Sequence, residues 1–109
     1  MNHIELARWP NYIIIAPASA NIISQLACGS ADNLITCICL ATKLPIILVP
    51  AMNQVMWNNQ IVQNNLNKLL QLPNYTSIGP DIGIQACGDI GPGRMLSIQS
   101  IFNYINTLS

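Results

Sequence analysis

The feature that most constrains this chain is an unbroken apolar run at residues 46–49, which ends at Pro50 and leads into the segment 51–57. A run of strand length rich in β-branched residues and ended by proline is typical of a strand buried on both faces, as in parallel sheets. Ligands of open α/β sheets bind beyond the carboxyl ends of the strands. Asn53 is the first polar side chain there, and its amide offers two donors and an acceptor. We therefore expect Asn53 to orient a carboxylate or a planar heterocycle.

Two further apolar runs and the helical patterns between them predict a β-α-β-α-β order in one α/β domain covering residues 1–109. Right-handed crossovers would make the three strands parallel neighbours, at about 12–16, 46–49 and 75–78. Helical patterns are expected at 2–9, 21–28, 61–72 and 97–108, and after a cap at Ser30 or Asp32. Gly29 is expected to end the helix before it. The side chains expected to face the sheet are Leu34, Ile35, Ile38, Cys39 and Leu40 in the capped helix and Ile98, Ile101, Phe102 and Ile105 in the last one.

Residues 17–21 follow the strand at 12–16 and combine small side chains with the polar Ser19 and Asn21, at the same level of the sheet as Asn53. Small side chains let a flat ligand approach the backbone closely. Residues 79–95 are rich in glycine and proline, and we expect them to form a flap without regular structure. Within the flap, Cys87 is favoured as a proton donor or nucleophile. Arg94 either neutralises an anionic ligand or is a solvated cation.

Composition narrows the possible partners. Hydrophobic residues make up 51% of the chain and charged residues 7%, and the formal net charge is zero. Such a surface protects poorly against association, so we expect other subunits or further chain to cover part of it. The absence of a basic patch argues against nucleic acid, and no apolar stretch is long enough for a membrane helix, so the expected location is the cytoplasm.

The other reactive residue types have ordinary interpretations. Four cysteines show no metal-ligand spacing, so no metal site is predicted, and Cys28, Cys37 and Cys39 are expected in the core. His3 is the only histidine, and a lone histidine near a terminus is more often a surface residue than a catalyst. Met56 could simply be a core residue.

Several segments together resemble one family, the flavin-dependent cysteine decarboxylases, and within it the branch acting on phosphopantothenoylcysteine. The resemblance runs from His3 to the end of the chain. It is carried by Pro17-Ala18-Ser19-Ala20-Asn21, by Pro50-Ala51-Met52-Asn53 with Met56-Trp57, by Ala86-Cys87-Gly88-Asp89 with Gly91, Gly93 and Met95, and by the opening segment from His3 to Trp9.

The resemblance implies a partial flavodoxin-like (Rossmann-like) three-layer fold that binds FMN and assembles into homotrimers or larger oligomers. It implies decarboxylation of 4'-phosphopantothenoylcysteine in coenzyme A biosynthesis, with His3 as the base, Asn53 holding the substrate carboxylate and Cys87 supplying a proton. The remaining residues it assigns are Ser19, Ala20, Asn21, Ile22 and Ala51 at the flavin and Met56 and Ala86 at the substrate.

The chain departs from the family pattern in two ways. Ile22 replaces the usual threonine, which removes one hydrogen bond to the flavin. The family's first strand and phosphate loop precede the histidine segment, so residues 1–109 are expected to be the carboxyl-terminal part of a single flavoprotein (decarboxylase) domain. A separate amino-terminal half is expected as a partner, and without it the strand at 12–16 is expected to be an open edge. Two alternatives are a peptidyl-cysteine decarboxylase of the same family and a non-catalytic, regulatory subunit or remnant.

Overall fold

The structure is a computed structural model, which describes residues 4–8, 11–84 and 90–108. Its elements in chain order are β1 (Ile4–Arg8), β2 (Asn11–Ala18), α1 (Ala20–Cys28), α2 (Leu34–Ala41), β3 (Ile46–Pro50), α3 (Gln54–Trp57), α4 (Gln60–Leu70), β4 (Tyr75–Ser77), β5 (Asp81–Ile84), β6 (Ile90–Arg94) and α5 (Ile98–Asn106).

The main sheet has the order β1-β2-β3-β4, and its last three strands are parallel. These are the strands predicted at about 12–16, 46–49 and 75–78, so the parallel α/β prediction is confirmed. Every residue of β3 is buried, as its apolar run indicated. β5 and β6 form a separate antiparallel hairpin.

Helices cover both faces of the sheet and complete three layers. Alternate strand residues such as Ile13 and Leu48 pack against α1, α2 and α4, whereas Ile14 and Val49 face α5 on the other side. This alternation is the period of two that a strand imposes on its side chains. None of the described helices has the length and apolar character needed to cross a membrane.

The helix predicted at 2–9 is wrong where the structure describes it. Ile4–Arg8 forms β1, which pairs antiparallel with β2 and places Ile4 opposite Ile15. Pairing with the free side of β2 outweighs a weak local helix preference. β1 therefore occupies the side of β2 that was expected to be open.

The glycine-rich segment also departs from expectation. It was predicted to lack regular structure, but Asp81–Ile84 and Ile90–Arg94 form the two strands of the hairpin. An antiparallel ladder is held together by paired backbone groups, so a segment rich in glycine and proline can still form a hairpin.

Helix ends are set by local hydrogen bonds. Ser19 caps α1, and Gly29 ends it in the left-handed conformation at φ 73°, as predicted. α2 is capped by Asn33 and not by Ser30 or Asp32: Asn33 and Thr36 form a reciprocal capping box. The Asn33 side chain accepts a hydrogen bond from the Thr36 backbone N–H, and the Thr36 hydroxyl accepts one from the Asn33 backbone N–H, so two backbone donors are satisfied.

Several side chains predicted to face the sheet are exposed. Leu34 and Leu40 on α2, and Ile98 and Phe102 on α5, all lie outside the core. Cys39 is buried, but Cys28 and Cys37 are exposed, so the core prediction holds for one of these three cysteines. A helix packed on a sheet buries only the stripe of side chains that faces the sheet, so apolar residues outside that stripe remain exposed.

Candidate functional site

The site begins where β2 and β3 end side by side. Ala18 is the register partner of Pro50, and the Ala51 backbone N–H donates to the Ala18 carbonyl at 3.2 Å. Residues 19–22 and 51–53 therefore emerge next to each other, at the sheet edge where the parallel topology predicted them.

The first loop is shaped by the start of α1. The Ser19 Oγ accepts a hydrogen bond from the Ile22 backbone N–H at 3.1 Å, which fixes the orientation of the hydroxyl. Ala18 is fully buried and Ile22 is nearly so, whereas Asn21 is exposed. The loop thus offers one hydroxyl and one amide on an otherwise apolar and small framework.

A cavity of about 220 Å³ lies beside this loop. Its lining residues are Ile15, Pro17, Ser19, Asn21, Ile22, Gln25, Asn33 and Ile35. None of them is ionisable, so the cavity combines apolar walls with neutral hydrogen-bonding groups. That mixture is typical of sites for largely apolar, planar ligand parts.

Two polar residues of this cavity, Gln25 and Asn33, were not predicted from the sequence to belong to the site. Gln25 accepts a hydrogen bond from the Asn33 side-chain amide at 3.3 Å, linking α1 to the start of α2. The spacing of Asn33 and Thr36 at the start of an apolar segment was the available signal for the cap. Nothing local indicated that the cap would also line a cavity, because that depends on how α1 and α2 pack.

Asn53 caps the short helix α3. Its Oδ1 accepts a hydrogen bond from the Met56 backbone N–H at 2.8 Å. That bond occupies one lone pair of the amide oxygen and orients the side chain, so that its NH2 group is a donor of fixed direction for a ligand. Met56 is partly exposed beside it.

The hairpin contacts the same loop through its second strand. The Met52 backbone N–H donates to the Gly93 carbonyl at 2.8 Å. Arg94 forms an ion pair with Asp81 across the hairpin at 3.4 Å, with both side chains about half exposed. Arg94 therefore has a carboxylate partner within the hairpin itself. His3, Ala86 and Cys87 lie outside the described residues.

The cysteine in the core is chemically unlike a reactive thiol. Burial raises the pKa of Cys39 to about 11. Burial of Tyr75 likewise raises its pKa to about 12, with a smaller electrostatic contribution from Cys39. Both groups are neutral at physiological pH and belong to the packing of the sheet. Among the described residues, no group of three or more His, Cys, Asp or Glu side chains is arranged to hold a metal ion.

The sequence of this chain is similar to those of known bacterial proteins. The coenzyme A biosynthesis bifunctional protein CoaBC of Haemophilus influenzae is 52% identical over 106 residues, which are 97% of this chain and 26% of that protein. The chain therefore spans about a quarter of this bifunctional relative.

Several solved structures share the fold. A PPC decarboxylase mutant complexed with pantothenoylaminoethenethiol superposes with a TM-score of 0.85 at 37% identity, over 89% of this chain and 54% of that one. The FMN binding protein AtHal3 gives a TM-score of 0.78 at 38% identity, over 89% and 53% of the two chains. The family described as Flavoprotein matches residues 1–109 in full. The chain belongs to the flavoprotein family.

Proposed function

We propose that this chain is part of an FMN-dependent carboxy-lyase that converts 4'-phosphopantothenoylcysteine to 4'-phosphopantetheine in coenzyme A biosynthesis. The observation that carries the proposal is the meeting of three segments, the Ser19 loop, the Asn53 loop and the hairpin, at one end of the sheet. The identity to CoaBC and the superposition on a PPC decarboxylase support the same assignment.

The cavity beside Ser19 fits part of a flavin. Its apolar walls suit an aromatic ring system, and its neutral polar groups suit ring nitrogens and carbonyl oxygens. Ser19, Ala20, Asn21, Ile22 and Ala51 would hold FMN. When bound, FMN supplies the oxidation of the thiol-bearing substrate carbon and the later return of the electron pair.

The residues of this chain would do the remaining work. Asn53 would donate from its NH2 group to the substrate carboxylate, in the orientation set by its bond to the Met56 N–H. His3 would accept the proton released on oxidation, and Cys87 would deliver a proton to carbon once carbon dioxide has left. Met56 and Ala86 would flank the substrate. The net reaction exchanges one carboxylate for one proton and leaves the flavin unchanged.

The proposal extends to location and assembly. An enzyme of this kind would work in the cytoplasm as a homotrimer or larger assembly, and a separate amino-terminal half would contribute the grip on the FMN phosphate. The low charge of the chain, 7% of residues, fits a surface that is largely covered in the assembly.

The test is an FMN titration of the purified chain by flavin fluorescence, with and without an amino-terminal segment of a related decarboxylase, followed by turnover assays. We expect FMN binding and carbon dioxide release from phosphopantothenoylcysteine in at least one of the two preparations. Absence of binding in both would refute the proposal. Turnover of a peptide ending in cysteine, without turnover of phosphopantothenoylcysteine, would favour the peptidyl-cysteine alternative.

Variants separate catalysis from binding. Cys87→Ser and His3→Asn should each lower kcat by about 10²-fold or more, since each removes a proton-transfer group. Cys37→Ser is the matched control because Cys37 is an exposed thiol outside the site. Unchanged turnover in both site variants would favour a non-catalytic subunit.

A further inference from the structure

Gly93 is an extra residue in the hairpin ladder. Asp81 pairs with Arg94, but the next residue, Ile82, pairs with Pro92, so Gly93 has no partner on β5. Gly93 is buried and has φ of 125°. This is a β-bulge built on a glycine in a backbone region that residues with side chains rarely adopt.

The bulge frees the Gly93 carbonyl from the ladder and directs it to another element. That carbonyl accepts the Met52 backbone N–H at 2.8 Å. Met52 directly precedes Asn53, and its side chain packs against the main core cluster. The contact therefore joins the hairpin to a loop that is itself anchored in the core.

We propose that Gly93 is a positioning residue, whose bulge docks β6 on the Asn53 loop and so fixes that strand beside the residue proposed to bind the substrate carboxylate. The contact is made by backbone atoms, so no side chain in the sequence indicates it. Its consequence for catalysis rests on the function proposed above, whereas the docking itself does not. A side chain at Gly93 would strain the bulge at its φ of 125° and turn the carbonyl away from Met52.

The first measurement is hydrogen exchange of the Met52 amide in the full chain, which needs neither cofactor nor substrate. In the wild type we expect this amide to exchange about 10²-fold or more slowly than an unstructured one. Gly93→Ala should accelerate its exchange at least about tenfold. Gly29→Ala is the matched control, because Gly29 also has positive φ, 73°, and an added Cβ there meets nothing within 4 Å.

An unprotected Met52 amide in the wild type would overturn the docking, even if Gly93→Ala failed to fold. Equal exchange at Met52 in the Gly93→Ala and Gly29→Ala variants would overturn it as well.

The second measurement is steady-state turnover with FMN bound. We expect Gly93→Ala to raise KM for the substrate about tenfold or more while the Kd for FMN stays within about twofold, because the hairpin is displaced and the Ser19 loop is not. Equal losses of FMN and substrate affinity would indicate a general structural defect and contradict a positioning role. If the wild type shows no turnover either alone or with the added amino-terminal segment, the proposed function fails while the exchange result still decides the docking.

Discussion

The oxygen and the NH2 group of the Asn53 side chain have different roles, and a substitution can separate the two. Oδ1 caps α3 through the Met56 N–H at 2.8 Å, and the NH2 group is proposed to bind the substrate carboxylate. Asn53→Asp keeps a good capping oxygen but replaces the donor with a negative charge. We expect stability to change by less than about 1 kcal/mol while substrate affinity falls at least about tenfold. Thermal unfolding and substrate titration measure the two effects.

Asn59 provides the control for this substitution. It also caps a helix, α4, with its Oδ1 accepting from the N–H of Ile61, two residues on, at 2.8 Å, and no site role is assigned to it. Asn59→Asp should therefore leave substrate affinity unchanged. Equal losses of affinity in the two variants would mean that net charge, and not the Asn53 donor, controls binding.

Cys39 makes stability depend on alkaline pH. Burial raises its pKa to about 11, so the folded state holds the thiol proton over a range where the unfolded chain has released it. We expect the free energy of unfolding to fall as pH rises from about 9 to 11, by on the order of 2–3 kcal/mol from this group. Urea unfolding at pH 8 and pH 10.5 measures the loss. Cys39→Ala should reduce the slope, and Cys37→Ala, which removes an exposed thiol of the same helix, should leave it unchanged.

At the scale of elements, the start of α2 shows how local chemistry chooses a helix boundary. The Asn33 Oδ1 accepts from the Thr36 N–H at 2.9 Å, and the Thr36 hydroxyl lies 3.3 Å from the Asn33 N–H. Asn33→Ala removes the capping acceptor and should cost about 1 kcal/mol of stability. Asp32→Ala, one residue earlier, should cost less than about 0.5 kcal/mol. Chemical unfolding compares the two, and equal costs would contradict the assigned cap.

The elements that were predicted correctly are those whose local sequence pattern matches their burial in the structure. The strands near 12–16 and 46–49 are apolar throughout because helices cover both of their faces, and α1 ends at Gly29 as its glycine indicated. β1 and the hairpin were missed because their structure depends on backbone pairing with a partner strand. Local sequence carries little information about such pairing.

The candidate site was predictable to a similar extent. The Ser19 and Asn53 loops follow strands whose carboxyl ends meet, so topology alone brought them together. The roles of Gln25 and Asn33 in the cavity, and of the Gly93 carbonyl, depend on packing between helices and on a bulge in the ladder. Those are tertiary features that a linear pattern does not encode.

At the scale of the whole molecule, the two faces of the sheet are covered unequally. Three helices, α1, α2 and α4, pack on one face, and α5 is the described helix on the other. Beside α5 lies a cavity of about 450 Å³ whose lining is formed entirely by Tyr12, Ile14, Ala16, Ile98, Ile101, Phe102 and Ile105. Ile98 and Phe102 are 68% and 58% exposed there. A contiguous apolar surface of this kind favours association of the isolated chain.

Phe102→Lys tests that consequence. The side chain is mostly exposed, so the substitution should change stability by less than about 1 kcal/mol while it places a charge on the apolar surface. We expect lower binding of the hydrophobic dye ANS and slower aggregation in light scattering, because the apolar surface is interrupted. Leu34→Lys is the matched control, since Leu34 is 69% exposed on α2 and does not line this cavity. If both variants reduce aggregation equally, added charge and not the surface beside α5 controls the solubility of the chain.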